Sequence, residues 1–117
     1  MLLASQVMTV VVAVLHGWFL VLEMFLWATP FGAKTLAQPL EVMQQSKPLA
    51  ANQGLYNGFL AAGLVWSLAV PVPSAQLFFL TCVVLAGVFG GLTASPKILF
   101  VQALPGAIAL VLVLVSR

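Results

Sequence analysis

The sequence predicts an all-α integral membrane protein: a four-helix bundle with a long first loop, formed by residues 1–117 as a single domain. The first observation behind this prediction is composition, since 63% of the 117 residues are hydrophobic and only 5% are charged. A soluble domain carries about a quarter charged residues, so a chain with so few must turn much of its surface to lipid. The second is that the apolar residues fall into four stretches, each close to the roughly 20 residues that cross a bilayer as a helix. The third is that no stretch shows the alternation of apolar and polar residues that is typical of a membrane β-barrel strand. Backbone N–H and C=O groups in lipid must then form hydrogen bonds within their own segment, as they do in a helix.

The four spans are bounded by prolines and capping residues. We place them at about residues 3–27, 48–70, 75–94 and 96–115. "ATP" at 28–30 ends the first span, because a residue that precedes proline avoids the helical region. Ser46 and Pro48 are suited to begin the second span, and Ser95 and Pro96 to begin the fourth. "PVPS" at 71–74 separates the second span from the third.

The first loop, residues 28–47, is the longest connection and holds Lys34, Glu41 and Lys47, half of all charged side chains. Loops of this length usually have structure of their own or a function. Thr29 and Pro30 are suited to cap a short helix lying at the membrane interface. The alternative is a solvated linker.

Charge placement predicts the orientation of the chain. With four spans both termini lie on one side, where Arg117 is the basic residue, while Lys34, Lys47 and Lys97 lie on the other side. The positive-inside rule then places the first and third loops in the cytoplasm and both termini outside. The first span is predicted to be retained, since it is too long for a signal peptide and no basic residue precedes it.

The second span has two different faces. Side chains at positions i, i+3, i+4 and i+7 share one side of a helix. On that basis one face carries polar groups, from Asn52, Gln53, Tyr56 and Asn57. The opposite face carries the small residues Gly54, Gly58 and Ala62. Small residues allow membrane helices to approach closely, so we expect the second face to pack against another helix.

The third span repeats the small-residue pattern. One row contains Ala86, Gly90 and Ala94, and the adjacent row contains Gly87 and Gly91. Such rows pack helices tightly, either inside one bundle or at the interface of a homo-oligomer. The sequence leaves both alternatives open.

Polar residues from three spans are predicted to meet at one depth. At a rise of 1.5 Å per residue, Glu23 lies about 6 Å and Gln102 about 7–8 Å from the same membrane side. The second span starts from that side too, which brings its amides and phenol to a similar depth. The predicted ligand-binding layer is Glu23, Asn52, Gln53, Tyr56, Asn57 and Gln102. His16, one of the two ionisable residues inside the spans, lies about 10 Å deeper and would line its floor.

An acid inside a membrane is costly and is a functional hypothesis by default. The leading hypothesis is that this layer binds, or transports, a small amphipathic molecule. The alternatives are a membrane enzyme with Glu23 or Tyr56 as acid/base, and a structural subunit in which the polar layer only fixes helix register. Besides that ligand, the expected partners are the lipid bilayer and, as one alternative, further copies of the chain.

Other classes of function lack support in the sequence. The single Cys82 forms no internal disulfide and no zinc cluster, so no metal site is predicted. No cofactor is predicted either, because no glycine-rich phosphate loop or nucleophile–base pair is present. The net charge of +2, without a basic run, gives no reason to expect nucleic acid as a partner.

Several segments together resemble one bacterial family of four-helix membrane proteins, the family of unknown function DUF1304. They are "HGWFLVLEMFLW" at 16–27, "NQGLYNGFLAAGL" at 52–64, "AGVFGGLT" at 86–93 and Gln102 followed by "LPGAIAL" at 104–110. The resemblance covers nearly the whole chain and implies a location in the bacterial inner membrane. The polar residues that it places in the family pattern are His16, Glu23, Asn52, Gln53, Tyr56, Asn57 and Gln102.

The chain is also similar, over its general plan, to the small multidrug-resistance exporters, which have four helices and one acid in the first. In those proteins the acid alternates between a proton and a cationic drug. This chain departs from that plan because Glu23 is near the end of its helix and the first loop is long.

Overall fold

A computed structural model describes residues 1–70 and 72–116, and these are almost entirely helical, without a strand. Pro71 of the predicted turn and the Arg117 charge lie outside the described residues. The helices are α1 Leu2–Val21, α2 Pro30–Thr35, α3 Leu40–Gln45, α4 Lys47–Ala69, α5 Pro73–Thr93 and α6 Leu104–Val115. Two π-helical segments, π1 Leu22–Leu26 and π2 Leu99–Ala103, continue α1 and precede α6.

The all-α prediction is confirmed, but the described residues contain six α-helices rather than four. The two additional helices, α2 and α3, are both in the first loop. The Thr29 side chain accepts a hydrogen bond from the Gly32 N–H, and Pro30 occupies the first turn, as predicted for a capped helix. Ala37, with a left-handed φ of 53°, ends α2, and Pro39 precedes α3, so the loop forms two short helices.

Within the described residues, two helices are long and apolar enough to cross a membrane. They are Leu2–Leu26 and Pro73–Thr93, each with a mean hydropathy of 2.0. Leu99–Val115 is a shorter apolar helix. Length and composition also fit core helices of soluble proteins and signal sequences. The structure therefore supports two candidate spans.

The chain forms two compact units. The first contains residues 1–15 and 60–117, with the beginning of α1, the end of α4, and α5, π2 and α6. Its core is apolar and consists of Val12, Ala13, Leu64, Leu80, Val83, Ala109 and Val113. Gly87 allows α5 to approach π2 closely, because a Cβ atom there would lie 2.8 Å from the backbone nitrogen of Ala103.

The second unit, His16–Phe59, contains the end of α1, π1, α2, α3 and the beginning of α4. Its buried centre includes Leu22, Glu23 and Met43. The indole Nε1 of Trp27, which follows π1, donates a hydrogen bond of 2.9 Å to the Ser46 hydroxyl, which precedes α4. This bond joins the two ends of the long loop.

Candidate functional site

Glu23 and Asn57 form the centre of the candidate site in the second unit. Glu23 lies in π1 and is 8% exposed. The Asn57 amide Nδ2 donates a hydrogen bond of 2.5 Å to Glu23 Oε1. No lysine or arginine pairs with Glu23 among residues 1–70 and 72–116. The acid is therefore held by a neutral donor, as the sequence predicted for Glu23 and the amides of the second span.

Two glycines of α4 bring Asn57 to this acid. A Cβ atom at Gly54 would lie 2.7 Å from Met24 Cγ and 3.0 Å from Glu23 Cβ. A Cβ atom at Gly58 would overlap the Leu20 side chain. Gly54, Asn57 and Gly58 are three and four residues apart and so lie on neighbouring positions of one helix face. The Asn57 amide is thus on the edge of the packing face.

The other polar residues of α4 are directed elsewhere. Asn52 and Gln53 are exposed, and Tyr56 is 64% exposed. The Tyr56 ring contacts Phe59 edge to face, with 5.7 Å between centroids. The structure therefore brings Asn57 into direct contact with Glu23 and leaves Asn52, Gln53 and Tyr56 on the surface of α4.

His16 is completely buried at the beginning of the second unit. Its ring contacts Phe19 edge to face, with the centroids 5.1 Å apart. A ligand-binding role for His16 stays a prediction.

Gln102 belongs to the first unit, where it has a packing contact. Its Nε2 donates a hydrogen bond of 3.1 Å to the Val83 carbonyl oxygen of α5. Gly87, one turn later on α5, is where the backbone of Ala103 comes close. The Gln102 amide therefore links π2 to α5 one helical turn from Gly87.

Glu23 and Gln102 share one local feature, since each lies in a π-helical segment. A π-helical turn holds one more residue than an α-helical turn, and such turns occur frequently at functional sites. Neither the composition nor the periodicity of the sequence indicates these segments. Each segment interrupts the regular α-helical geometry at a predicted site residue.

The predicted packing glycines have partners inside the chain, but the alanines do not follow the pattern. Gly87 and Gly91 are buried, and a Cβ atom at Gly91 would overlap the Leu99 side chain. Gly90 packs against Ile98. Ala62 and Ala86 are exposed. The row of Gly87 and Gly91 thus packs within the first unit, whereas Ala86 and Ala94 of the adjacent row are exposed.

A second set of buried polar residues was missed by the sequence analysis. Ser5, Thr9, Ser67 and Gln76 are all at most 9% exposed. Gln76 Nε2 donates to Thr9 Oγ1 at 2.8 Å. Ser5 and Thr9 are four residues apart in a mainly apolar helix, which was a signal for a shared face.

The packing face of α4 leads to a first prediction. We expect Gly58→Leu to lower the free energy of unfolding by about 1–3 kcal/mol, since overpacking forces neighbours out of place. The measurement is thermal unfolding in detergent followed by circular dichroism. Gly17→Leu is the matched control, because a Cβ atom at Gly17 meets nothing within 4 Å. Equal unfolding temperatures for Gly58→Leu and the parent would contradict the close approach of α4 at Gly58.

The fold and the site define an all-helical protein with two candidate membrane-spanning helices and a buried acid–amide pair. The family model described as "Protein of unknown function (DUF1304)" matches residues 10–114. The chain therefore belongs to this family, as its polar segments indicated.

One curated relative is informative about the extent of the similarity. The chain is 28% identical to "Uncharacterized protein YpaA" of Lactococcus lactis subsp. lactis (strain IL1403) over 108 residues. The alignment covers 87% of this chain and 89% of the relative, so the similarity extends over both proteins nearly in full. No solved structure matches the chain.

Proposed function

We propose that this protein crosses the bacterial inner membrane four times and binds a small amphipathic molecule at Glu23 and Asn57, with transport as the further step. The observation that carries the proposal is the buried Glu23 carboxyl group, held by the Asn57 amide. An acid in a membrane-spanning helix is costly, and such residues mark ligand or ion pathways. A hydrogen bond between membrane helices contributes only about 0.6–2 kcal/mol. A purely structural role would therefore offset little of the cost of burying an acid there.

The surface of the helices supports the membrane location. Large apolar side chains are widely exposed, among them Leu3 at 73%, Phe89 at 70% and Phe100 at 70%. Soluble monomeric proteins rarely expose extended apolar surface of this kind. Lipid tails would cover these side chains, which include residues of α1, α5 and the segment that leads into α6.

The chemistry of the second unit suits an amphipathic ligand. Glu23 supplies acceptor oxygens, and Asn57 supplies a further N–H once one is committed to the acid. The exposed amides Asn52 and Gln53 offer additional donors and acceptors. Phe25, which is 68% exposed, offers apolar surface in the same unit. A ligand with one polar, hydrogen-bonding end and one apolar end would use both kinds of group.

Mass spectrometry of whatever co-purifies with the protein tests this proposal. We expect a bound small molecule with a polar end and an apolar end. If the purified protein instead converts a metabolite, and Tyr56→Phe abolishes this conversion, the alternative of a membrane enzyme would be favoured. Absence of any retained molecule from every detergent and lipid preparation would favour a structural subunit.

The proposed orientation gives a second prediction. Single cysteines at Lys34, Lys97 and Ser74 are introduced in a Cys82→Ala background, and all three positions are exposed. In intact cells a membrane-impermeant thiol reagent should label the cysteine at Ser74 and leave those at Lys34 and Lys97 unlabelled. Permeabilised cells are the control, in which all three should react. Labelling of Lys34→Cys in intact cells would reverse the orientation.

A further inference from the structure

The first unit contains a buried polar cluster that the acid–amide site does not use. Ser5 is 1% exposed, Thr9 is 0% exposed and Gln76 is 9% exposed. The Ser5 hydroxyl donates to the Leu2 carbonyl oxygen at 2.7 Å. These groups lie near the beginning of α1 and in the first turn of α5, next to Pro73.

The hydrogen bonds of this cluster determine which way the Gln76 amide points. The Thr9 hydroxyl has one proton, and it is donated to the Ser5 carbonyl oxygen at 2.8 Å. Thr9 Oγ1 can therefore only accept from Gln76, which requires the nitrogen of that amide. Gln76 Nε2 donates this bond at 2.8 Å. The Oε1 atom and the second N–H of Gln76 are left without a hydrogen-bond partner among residues 1–70 and 72–116.

A cavity of about 250 Å³ adjoins this amide. Its lining is mostly apolar and uncharged, and consists of Leu2, Ser5, Pro73, Gln76, Val113 and Ser116. At roughly 30 Å³ per water-sized group, the volume accommodates a molecule of roughly eight such groups. A two-chain lipid is far larger than this volume.

We propose that this cavity is a second binding site, for a small neutral molecule that carries a carboxamide or a hydroxyl group on a short apolar body. The Gln76 amide offers one acceptor and one donor side by side, so a ligand group with both a donor and an acceptor pairs with it reciprocally. The apolar body lies against Leu2, Pro73 and Val113. A charged ligand is disfavoured, since none of the described lining residues carries a charge and burying an unpaired ion is costly.

Hexanamide is the probe for this proposal, and its binding is read at the Gln76 side chain. In the purified, ¹⁵N-labelled protein in lipid nanodiscs, the Gln76 side-chain amide signal is assigned by its loss in Gln76→Leu. Hexanamide should shift this signal saturably, with an affinity about tenfold higher than that of methyl hexanoate, which cannot donate a hydrogen bond. The Gln44 side-chain signal is the internal control, because Gln44 is exposed on α3 and should not move.

Variants distinguish specific binding of hexanamide at Gln76 from its partition into the lipid. Thr9→Val removes the group that orients the Gln76 amide and should weaken hexanamide binding, whereas Gln44→Leu should leave it unchanged. Where Gln76→Leu does not fold, Gln76→Asn serves for the assignment. Equal affinities for hexanamide and methyl hexanoate, or a Gln76 signal that neither probe moves, would overturn the proposal and leave a cavity that holds only water.

Discussion

Gly87→Ala is expected to destabilise the first unit by about 1–3 kcal/mol, although it adds a single methyl group. A Cβ atom at position 87 would lie 2.8 Å from the nitrogen and 2.9 Å from the Cα atom of Ala103. Both are backbone atoms, so no side chain can rotate away to make room. π2 would have to move from α5, which would also stretch the 3.1 Å hydrogen bond from Gln102 to the Val83 carbonyl oxygen.

Gly90→Ala, on the same helix, is the matched control for this prediction. A Cβ atom there would meet the Cδ1 end of Ile98 at 3.3 Å, and a side-chain end can shift by a few tenths of an ångström. Alanine also favours a helix over glycine by about 0.5–1 kcal/mol. Thermal unfolding of both variants in detergent should therefore show a clear loss for Gly87→Ala and little change for Gly90→Ala. Equal midpoints would show that α5 and π2 are not in backbone contact.

The Glu23→Gln variant is expected to fold like the parent. Its retention of the co-purifying molecule should be about 10- to 100-fold lower. The substitution keeps an oxygen that accepts from Asn57, so the hydrogen bond observed in the structure is retained. It removes the negative charge, and a hydrogen bond to a charged group contributes about 1.5–3 kcal/mol. Retention is measured by quantitative mass spectrometry of the purified protein. Retention by the parent should also fall on acidification, whereas that of the variant should not respond to pH.

Glu41→Gln is the matched control, because the same substitution is made at an exposed acid of α3. Asn57→Leu should lose the ligand with Glu23→Gln, while Cys82→Ala should not. The prediction fails when Glu23→Gln retains the molecule as well as the parent at every pH. That result would leave the Glu23–Asn57 pair as a contact that only joins π1 and α4.

The positions of the long helices were predictable because they depend on composition and local chain chemistry. The predicted spans at about 3–27, 48–70, 75–94 and 96–115 agree with α1 and π1, α4, α5, and π2 with α6 to within a few residues. Thr29 and Pro30 were correctly predicted to begin a helix in the first loop. The second loop helix, α3, which begins immediately after Pro39, was not predicted.

The sequence placed Glu23 and Asn57 in the candidate site, but it did not indicate which other polar residues would lie outside it. Periodicity on a straight helix placed Asn57 with Asn52, Gln53 and Tyr56, since all four fall within an arc of about 140°. Asn57 is at the edge of that arc, next to the glycine face. The direction of approach of π1 decides which edge is buried, and this direction is a property of two packed helices that one helix's pattern does not contain.

The sequence by itself determined that this protein is helical and where its long helices lie, and it indicated that Glu23 and amides of the second span can lie at one depth. These features follow from hydropathy, proline and capping positions, and the cost of an unpaired polar group. Only the tertiary structure decided that Asn57 is the donor, that Gln102 instead binds the Val83 carbonyl oxygen, and that Gln76 and Thr9 form a second buried pair. The physical reason is that each side chain takes the nearest partner with suitable geometry, and nearness between residues 34 or 67 positions apart is set by helix packing.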